Sequence, residues 1–175
     1  EALLANPLLD FERLLVVKRP ARAHQLGLPQ NHQGNCALPR AGYDDEIAVL
    51  EPPRPDGTLT TLHKPGANFV GDVDLHFDAD RLLYSSLDAA KRWQVFELAL
   101  DPAAGRAVPG VSPRAITRSD LPLVDNYDAC YLPDGRVVFA SSAAMHGVPC
   151  VGGKNAVANL YLLDTDGVSV RQLCF

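Results

Sequence analysis

The sequence predicts an all-β chain of about three four-stranded antiparallel units of β-propeller type, together forming an incomplete propeller. The first observation behind this is internal repetition. YDACYLPDGRVVFASS from Tyr127 and NLYLLDTDGVSVRQL ending at Leu173 echo VDLHFDADRLLYSS from Val73 and WQVFELALDPAAGRAV ending at Val108. A partial third copy is formed by ERLLVVKR from Glu12 and EIAVLEPPRPDGTLTTL ending at Leu62. Aligned on Asp74 and Asp128, the two fuller copies lie 54 residues apart. Such a period signals stacked supersecondary units, none of which buries its apolar face alone. The second observation is that each copy breaks into short alternating apolar runs with Asp-Gly pairs between them, and four such strands per unit is the pattern of a propeller blade. A β-sandwich also shows evenly spaced short strands and is the competing architecture.

The units are predicted at about 1–62, 69–117 and 124–175 of a single domain. In the first, Asp44, Asp45 and Glu46 read as a solvated turn before a strand over Ile47–Leu50, and Asp56-Gly57 reads as a hairpin. No innermost strand is evident there. In the second, Val73, Leu75 and Phe77 share one face of a period-two pattern, with Asp72, Asp74 and His76 on the other, which is the signature of a half-buried strand. Strands near Leu82–Ser86 and Gln94–Leu98 follow. In the third, strands are predicted near Asp128–Tyr131, Val137–Ser141 and Leu160–Asp164, with Asp134-Gly135 and Asp166-Gly167 supplying the positive φ that tight hairpins demand. The proline-rich stretches Glu51–Pro55 and Pro109–Pro122 connect strands inside the repeat and are not domain linkers.

With 175 residues, 47% of them hydrophobic, the chain is long enough to bury a sizeable core. Its formal charge of −5 argues against nucleic acid as a partner. No run approaches the roughly 18 apolar residues of a membrane span. The start at Glu1 reads as a cut or processed end, and the predicted ring is short of the about four to eight blades that closure needs. The expected partners are therefore the remaining blades of a longer protein, or further copies of this chain covering open sheet edges.

NPLLDFERLLVVKR, LPQNHQGNCALPRAGYDDEIAVL, FVGDVDLHFDADRLLYS and VDNYDACYLPDGRVVFAS together resemble proteins carrying the hydrazine synthase alpha-subunit middle domain, a family abundant in planctomycete-type bacteria. The resemblance spans nearly the whole chain. The shorter pattern of Asp128, YLPDGRVVF, NLYLLDTDG and RQL also resembles the wider Tol-B-like propeller repeat. These resemblances imply a β-propeller from an exported, periplasmic or extracellular, bacterial protein whose namesake is a multihaem enzyme. The departure from that namesake is chemical. Covalent haem attachment needs C-x-x-C-H, whereas Cys36, Cys130, Cys150 and Cys174 are far apart and none immediately precedes a His. No cofactor is predicted.

Metal ligation is the chemistry that the remaining polar residues suggest. Asp72, Asp74 and His76 share a strand face, and the 54-residue alignment places Asn126, Asp128 and Cys130 at the matching positions. The first strand of a blade lines the central channel, where carboxylate, imidazole and thiolate would be metal ligands. Against this stands a structural role for Asp74 and Asp128, pinning blade to blade by hydrogen bonds, with His76 and Cys130 packed. A second cluster, His24, His32 and Cys36, lacks zinc-finger spacing. A third, His146 with Cys150, lies in the insertion Ala143–Ala158, on a long loop of the sort that carries ligand contacts. The metal candidates are thus Asp74, His76, Asp128, Cys130, His146 and Cys150.

Other motifs fail. Gly152-Gly153-Lys154-Asn155 is not a phosphate loop, since Val148 and Asn155 break the Walker pattern. Asp72-x-Asp74-x-His76 is not a calcium loop, since Phe77 stands where Gly is required. No G-x-S-x-G elbow is present. Four cysteines permit disulfides without requiring them, and Cys130 with Cys150 is the pair to test. Two functions fit: a non-catalytic propeller segment serving binding or assembly, or a fragment of a haem- or metal-dependent redox enzyme related to the hydrazine synthase alpha subunit.

Overall fold

A computed structural model of the chain describes residues 6, 10–22, 38–118, 120–147, 149, 152–153 and 156–174. They form three antiparallel sheets and no helix longer than a single 3-10 position. The first sheet has the order β1-β2-β3, from Leu14–Lys18, Glu46–Glu51 and Thr58–His63. The second runs β4-β5-β6-β7, from Gly71–Leu75, Arg81–Leu87, Trp93–Asp101 and Arg106–Ala107, with β8 (Arg114–Ala115) also on β6. The third, β9 to β12, comprises Asn126–Tyr131, Val137–Ser141, Asn159–Leu163 and Val170–Gln172. The expected antiparallel units are present as three sheets, the first with three strands rather than four among the described residues.

The sheets stack face to face, and alternation along β5 shows how. Leu82 and Tyr84 point to a core shared with Ile47, Leu15 and Leu62 of the first sheet. Leu83 points the other way, to a core shared with Ala129, Tyr131, Val137, Phe139 and Tyr161 of the third. Side chains of a strand leave opposite faces in turn, so β5 is buried without a break from Leu82 to Leu87. At one end, where the longer connections gather, Tyr43, Phe69, Trp93 and Tyr127 draw all three units into an aromatic cluster. Phe69 meets Trp93 edge-on at 4.8 Å and Tyr43 at 5.2 Å, the geometry that the ring quadrupoles favour.

Several sequence expectations need correction. The fourth strand of the second unit is divided: Ala107 pairs with Leu100, and only after Pro109 and Pro113 does Ala115 pair with Phe96. Proline offers no amide hydrogen to a ladder, so the edge is broken where the prolines stand. β4 stops at Leu75, and Phe77 is 68% exposed in the turn that follows. Of the predicted face, Val73 therefore packs against the core while Leu75 and Phe77 are exposed. Gly135 and Gly167 do take positive φ, but Gly57 does not. Gly57 is instead required by crowding, because a Cβ there would lie 2.0 Å from the carbonyl oxygen of Pro52.

The copies also align differently from the sequence match. In β4 the pairs Gly71↔Ser85 and Asp74↔Leu83 leave Asp72 and Val73 opposite Tyr84 alone. In β9, Tyr127↔Ala140 and Cys130↔Val138 leave Asp128 and Ala129 opposite Phe139. These are matching β-bulges, and Asp72 (φ 48°) and Asp128 (φ 52°) both adopt the left-handed conformation that Asp tolerates better than most residues. Asp128 is thus the counterpart of Asp72, 56 residues away, and Asp74 is the counterpart of Cys130. An error of two leaves every side chain on its original face, so alternation alone could not expose it.

Asp45 and Glu46 are not part of a solvated turn. Asp45 is wholly buried and Glu46 nearly so, while Asp44 is exposed. One Asp45 oxygen accepts the Val70 amide at 3.2 Å and faces Arg19 Nε at 3.4 Å, joining the first two units. Arg19 in turn donates to the Val70 carbonyl and lies over the Phe69 ring. Burial raises the Asp45 carboxyl above its ordinary range, with the Val70 amide and Arg19 opposing that shift. Asp45→Ala strands the Val70 amide without its acceptor and removes the ion pair to Arg19, so urea denaturation should show a loss of roughly 1–3 kcal/mol or more. Asp44→Ala should change stability by no more than about 0.5 kcal/mol. Equal losses would remove Asp45 as the pin.

Candidate functional site

The seam between the second and third units holds the main polar group. The Asp74 carboxylate accepts the Tyr131 amide at 2.9 Å, and the Ser85 hydroxyl accepts the Asp128 amide at 2.9 Å. Each bulge thus places an acid beside the neighbouring unit. The pinning role expected of both aspartates belongs to Asp74. At Asp128 it is the main chain that is tied across the seam, while the carboxyl, desolvated and facing the Asp72 charge, is pushed above its usual range. The Cys130 thiol is also raised, by desolvation and then by Asp74 and Asp128, so it is held protonated rather than as the nucleophilic thiolate.

Of the six residues read together from the sequence, Asp72, Asp74, Asp128 and Cys130 lie near one another at the seam, whereas Asn126 and His76 depart. Asn126 is buried elsewhere, donating to Gln94 Oε1 at 3.0 Å in a group completed by Thr117. His76 leaves the strand face because β4 ends before it, and its ring packs edge-on against Tyr131 at 4.8 Å. There it meets two carboxylates in the β4–β5 turn: Nδ1 lies 3.5 Å from Asp78 and 3.4 Å from Asp80. These three could offer one ligand atom each to a metal. Arg81 occupies much of the same chemistry, with Nη1 2.9 and 3.0 Å from the Asp80 oxygens and Nη2 2.6 Å from His76 Nε2. A guanidinium in the group supplies the positive charge that a cation would otherwise bring. His146 is exposed, far along the chain from this turn, and its carbonyl accepts the Val157 amide at 2.7 Å. Cys150, like His24, His32 and Cys36, lies outside the described residues.

A pair absent from the sequence reading is His63 with Tyr84. Tyr84 Oη and His63 Nε2 are 3.0 Å apart in the seam between the first two units, beside a cleft of about 380 Å³ that Phe96 and Pro113 help to line. Burial raises the Tyr84 hydroxyl strongly and lowers the His63 imidazole. Tyr84 therefore keeps its proton beside a neutral His63. No motif marks this pair, because its members come from β3 and β5 and meet only through sheet stacking.

No protein-family model matches the chain, and no curated protein does. Solved structures do match. A TolB-designated protein from Agrobacterium tumefaciens aligns with a TM-score of 0.52 at 16% identity, over 75% of this chain and 38% of its own. A puromycin hydrolase aligns with a TM-score of 0.55 at 16% identity, over 78% of this chain and 19% of its own. The fold is that of a β-propeller segment. Stacked open sheets and these likenesses agree on that point, and the likenesses extend to fold alone. The segment spans less than half the length of either structure.

The seam separates the two aspartates experimentally. Asp74→Ala leaves the Tyr131 amide unpaired and should cost roughly 1–3 kcal/mol in chemical denaturation. Asp128→Asn keeps the left-handed residue class and removes a disfavoured charge, so stability at pH 7 should rise. Because folded Asp128 holds its proton more tightly than the unfolded chain does, its effect on stability worsens as pH rises from the ordinary carboxylate range through the raised value. Wild type and Asp128→Asn should therefore converge in acid, and a destabilised Asp128→Asn at neutral pH would count against this account. His63 carries the opposite dependence. Its lowered pKa leaves its contribution intact above the ordinary imidazole value of about 6.5, and that contribution is lost as pH falls from there towards the folded value. Denaturation profiles of His63→Gln should be flatter over that window, and an unchanged slope would exclude His63 as the titrating group.

Proposed function

We propose that the chain is a non-catalytic β-propeller segment of a larger exported bacterial protein, serving binding or assembly. The observation that carries this reading is a row of leucines on the face of the first sheet that points away from the second. Leu14, Leu50 and Leu59 stand opposite one another across β1, β2 and β3, with Leu14 39% and Leu59 45% exposed. Leu15 and Ile47, on the other face, pack inward. On the third sheet Leu160 is 47% exposed, while Leu162 on the same face is buried and Ala140 packs against the aromatic cluster. Aligned apolar residues on a sheet face are what a neighbouring blade buries, and uncovered they favour association. Export and kinship with the hydrazine synthase alpha-subunit middle-domain proteins belong to the same proposal and rest on the sequence phrases that carry that resemblance. Among the described residues, Asp45 and Asp74 accept main-chain amides of the next unit, which favours a structural role for these two.

One arrangement favours the alternative, a fragment of a metal- or haem-dependent redox enzyme: the imidazole of His76 beside the carboxylates of Asp78 and Asp80. Metal analysis and an absorption spectrum of the purified chain separate the two. Near-stoichiometric metal or haem supports the enzyme fragment. For the binding or assembly reading, mass in solution should rise over a concentration series, and Leu59→Lys should reduce that rise. A strictly monomeric species throughout the series would overturn it.

A further inference from the structure

The end of the stack that carries the aromatic cluster also carries a cleft of about 520 Å³ between the β6 approach and the segment leading to β9. It is lined by Arg40, Arg92 and Lys91 on one side and by Pro122 and Leu123 as an apolar ledge. Arg40 is held by a two-pronged bond to buried Asp125, at 2.9 and 2.6 Å, and donates to the Lys91 carbonyl at 2.7 Å. Asp125 also accepts the Trp93 amide at 3.0 Å, so this wall is anchored to the core. Arg92 is held by Asp88 at 2.8 and 3.0 Å and reaches the Leu121 carbonyl at 3.2 Å. Lys91 is different. It is exposed, and among the described residues no carboxylate lies within ion-pair distance of it. The cleft therefore has one uncompensated positive charge in a chain whose formal charge is −5.

The ledge is Pro122 and Leu123. Leu123 is 79% exposed and has φ 65°, a conformation that is costly for a bulky side chain and that tends to persist where a surface is used. Lys91 has φ 60°, in a turn that Asp88 ties together through the Ala90 and Arg92 amides. Two residues in unfavourable backbone conformations, one cationic and one apolar, thus line the same cleft.

We propose that this cleft binds a small amphiphilic carboxylate: an apolar body of side-chain size attached to a single negative charge, as in an N-acylated apolar amino acid. The volume suits a molecule of that size. One open cation matches one carboxylate, and both guanidinium forks already face aspartates, which leaves no second open charge for a phosphate dianion. Leu123 and Pro122 cover the apolar body. The proposal rests on the binding role given above and supplies its ligand class.

The test titrates the isotopically labelled chain with N-acetyl-L-phenylalanine and, separately, with its uncharged amide, following backbone resonances by NMR. Saturable shifts are expected at Lys91, Arg92, Leu123 and Asp125. The amide should bind about fivefold more weakly, as should the acid to Lys91→Gln, the change expected for loss of one exposed ion pair. Leu123→Ala should weaken acid and amide alike. An unchanged spectrum outside the cleft confirms that each variant is folded. Absent or non-saturating shifts, or equal affinity for acid and amide, would overturn the site. The binding and assembly reading is judged separately by the concentration series, so self-association without probe binding removes this ligand class and leaves that reading in place.

Discussion

β5 has no solvent face, and the rest of the architecture follows from that. Leu82 and Tyr84 need the first sheet to cover them, while Leu83 needs the third. Full burial of one such side chain stabilises by about 1.5–3 kcal/mol, and most of that is lost if either neighbour is missing. A single unit is therefore half a core, and stability arises from nearest-neighbour interfaces in the manner of repeat proteins. The same constraint makes the leucine row on the outer face of the first sheet consequential, since it repeats outside the stack the kind of surface that is buried within it.

Stacking by apolar faces leaves rotation and slip between sheets weakly specified, because leucine against valine is tolerant of position. Polar contacts remove that freedom. Asp45 reaches the Val70 amide from the first unit to the second, and Asp74 reaches the Tyr131 amide from the second to the third. Both are buried or half-buried carboxylates that accept from main chain, so a shifted sheet would leave donor and acceptor unpaired. The bulges at Asp72 and Asp128 serve the same registration. They turn each inner strand so that its acid faces the adjacent unit, and they accept left-handed backbone as the cost.

This division of labour bears on chemistry. The seam acids and the His76 turn are rich in ligand-type atoms, yet Asp74 is engaged by the Tyr131 amide and the His76 turn by Arg81. At the opposite end the charges are arranged differently. Arg40 and Arg92 are neutralised by Asp125 and Asp88, which fixes the walls of a cleft and leaves Lys91 as its open charge.

The residues by themselves determined that the chain is a stack of antiparallel units. Period-two alternation and Asp-Gly turns are local properties, and the recurrence of YLPDGRVVF-like phrases required no knowledge of contacts. They also placed acids and a thiol on the inner strands. Only the tertiary structure decided which of these meet. The 54-residue alignment differed from the true equivalence by two because a shift of two keeps every side chain on its face, and the bulges that fix the register are visible only in the pairing with β5 and β10. Asp45 reads as hydrophilic in any window of sequence, and its burial comes from Val70 and Arg19, which lie 25 residues after it and 26 before it. His63 with Tyr84, and Arg40 with Asp125, are likewise products of stacking: charge and hydrogen-bonding capacity are written in the chain, but the distances at which they act are set by how one sheet is laid on the next.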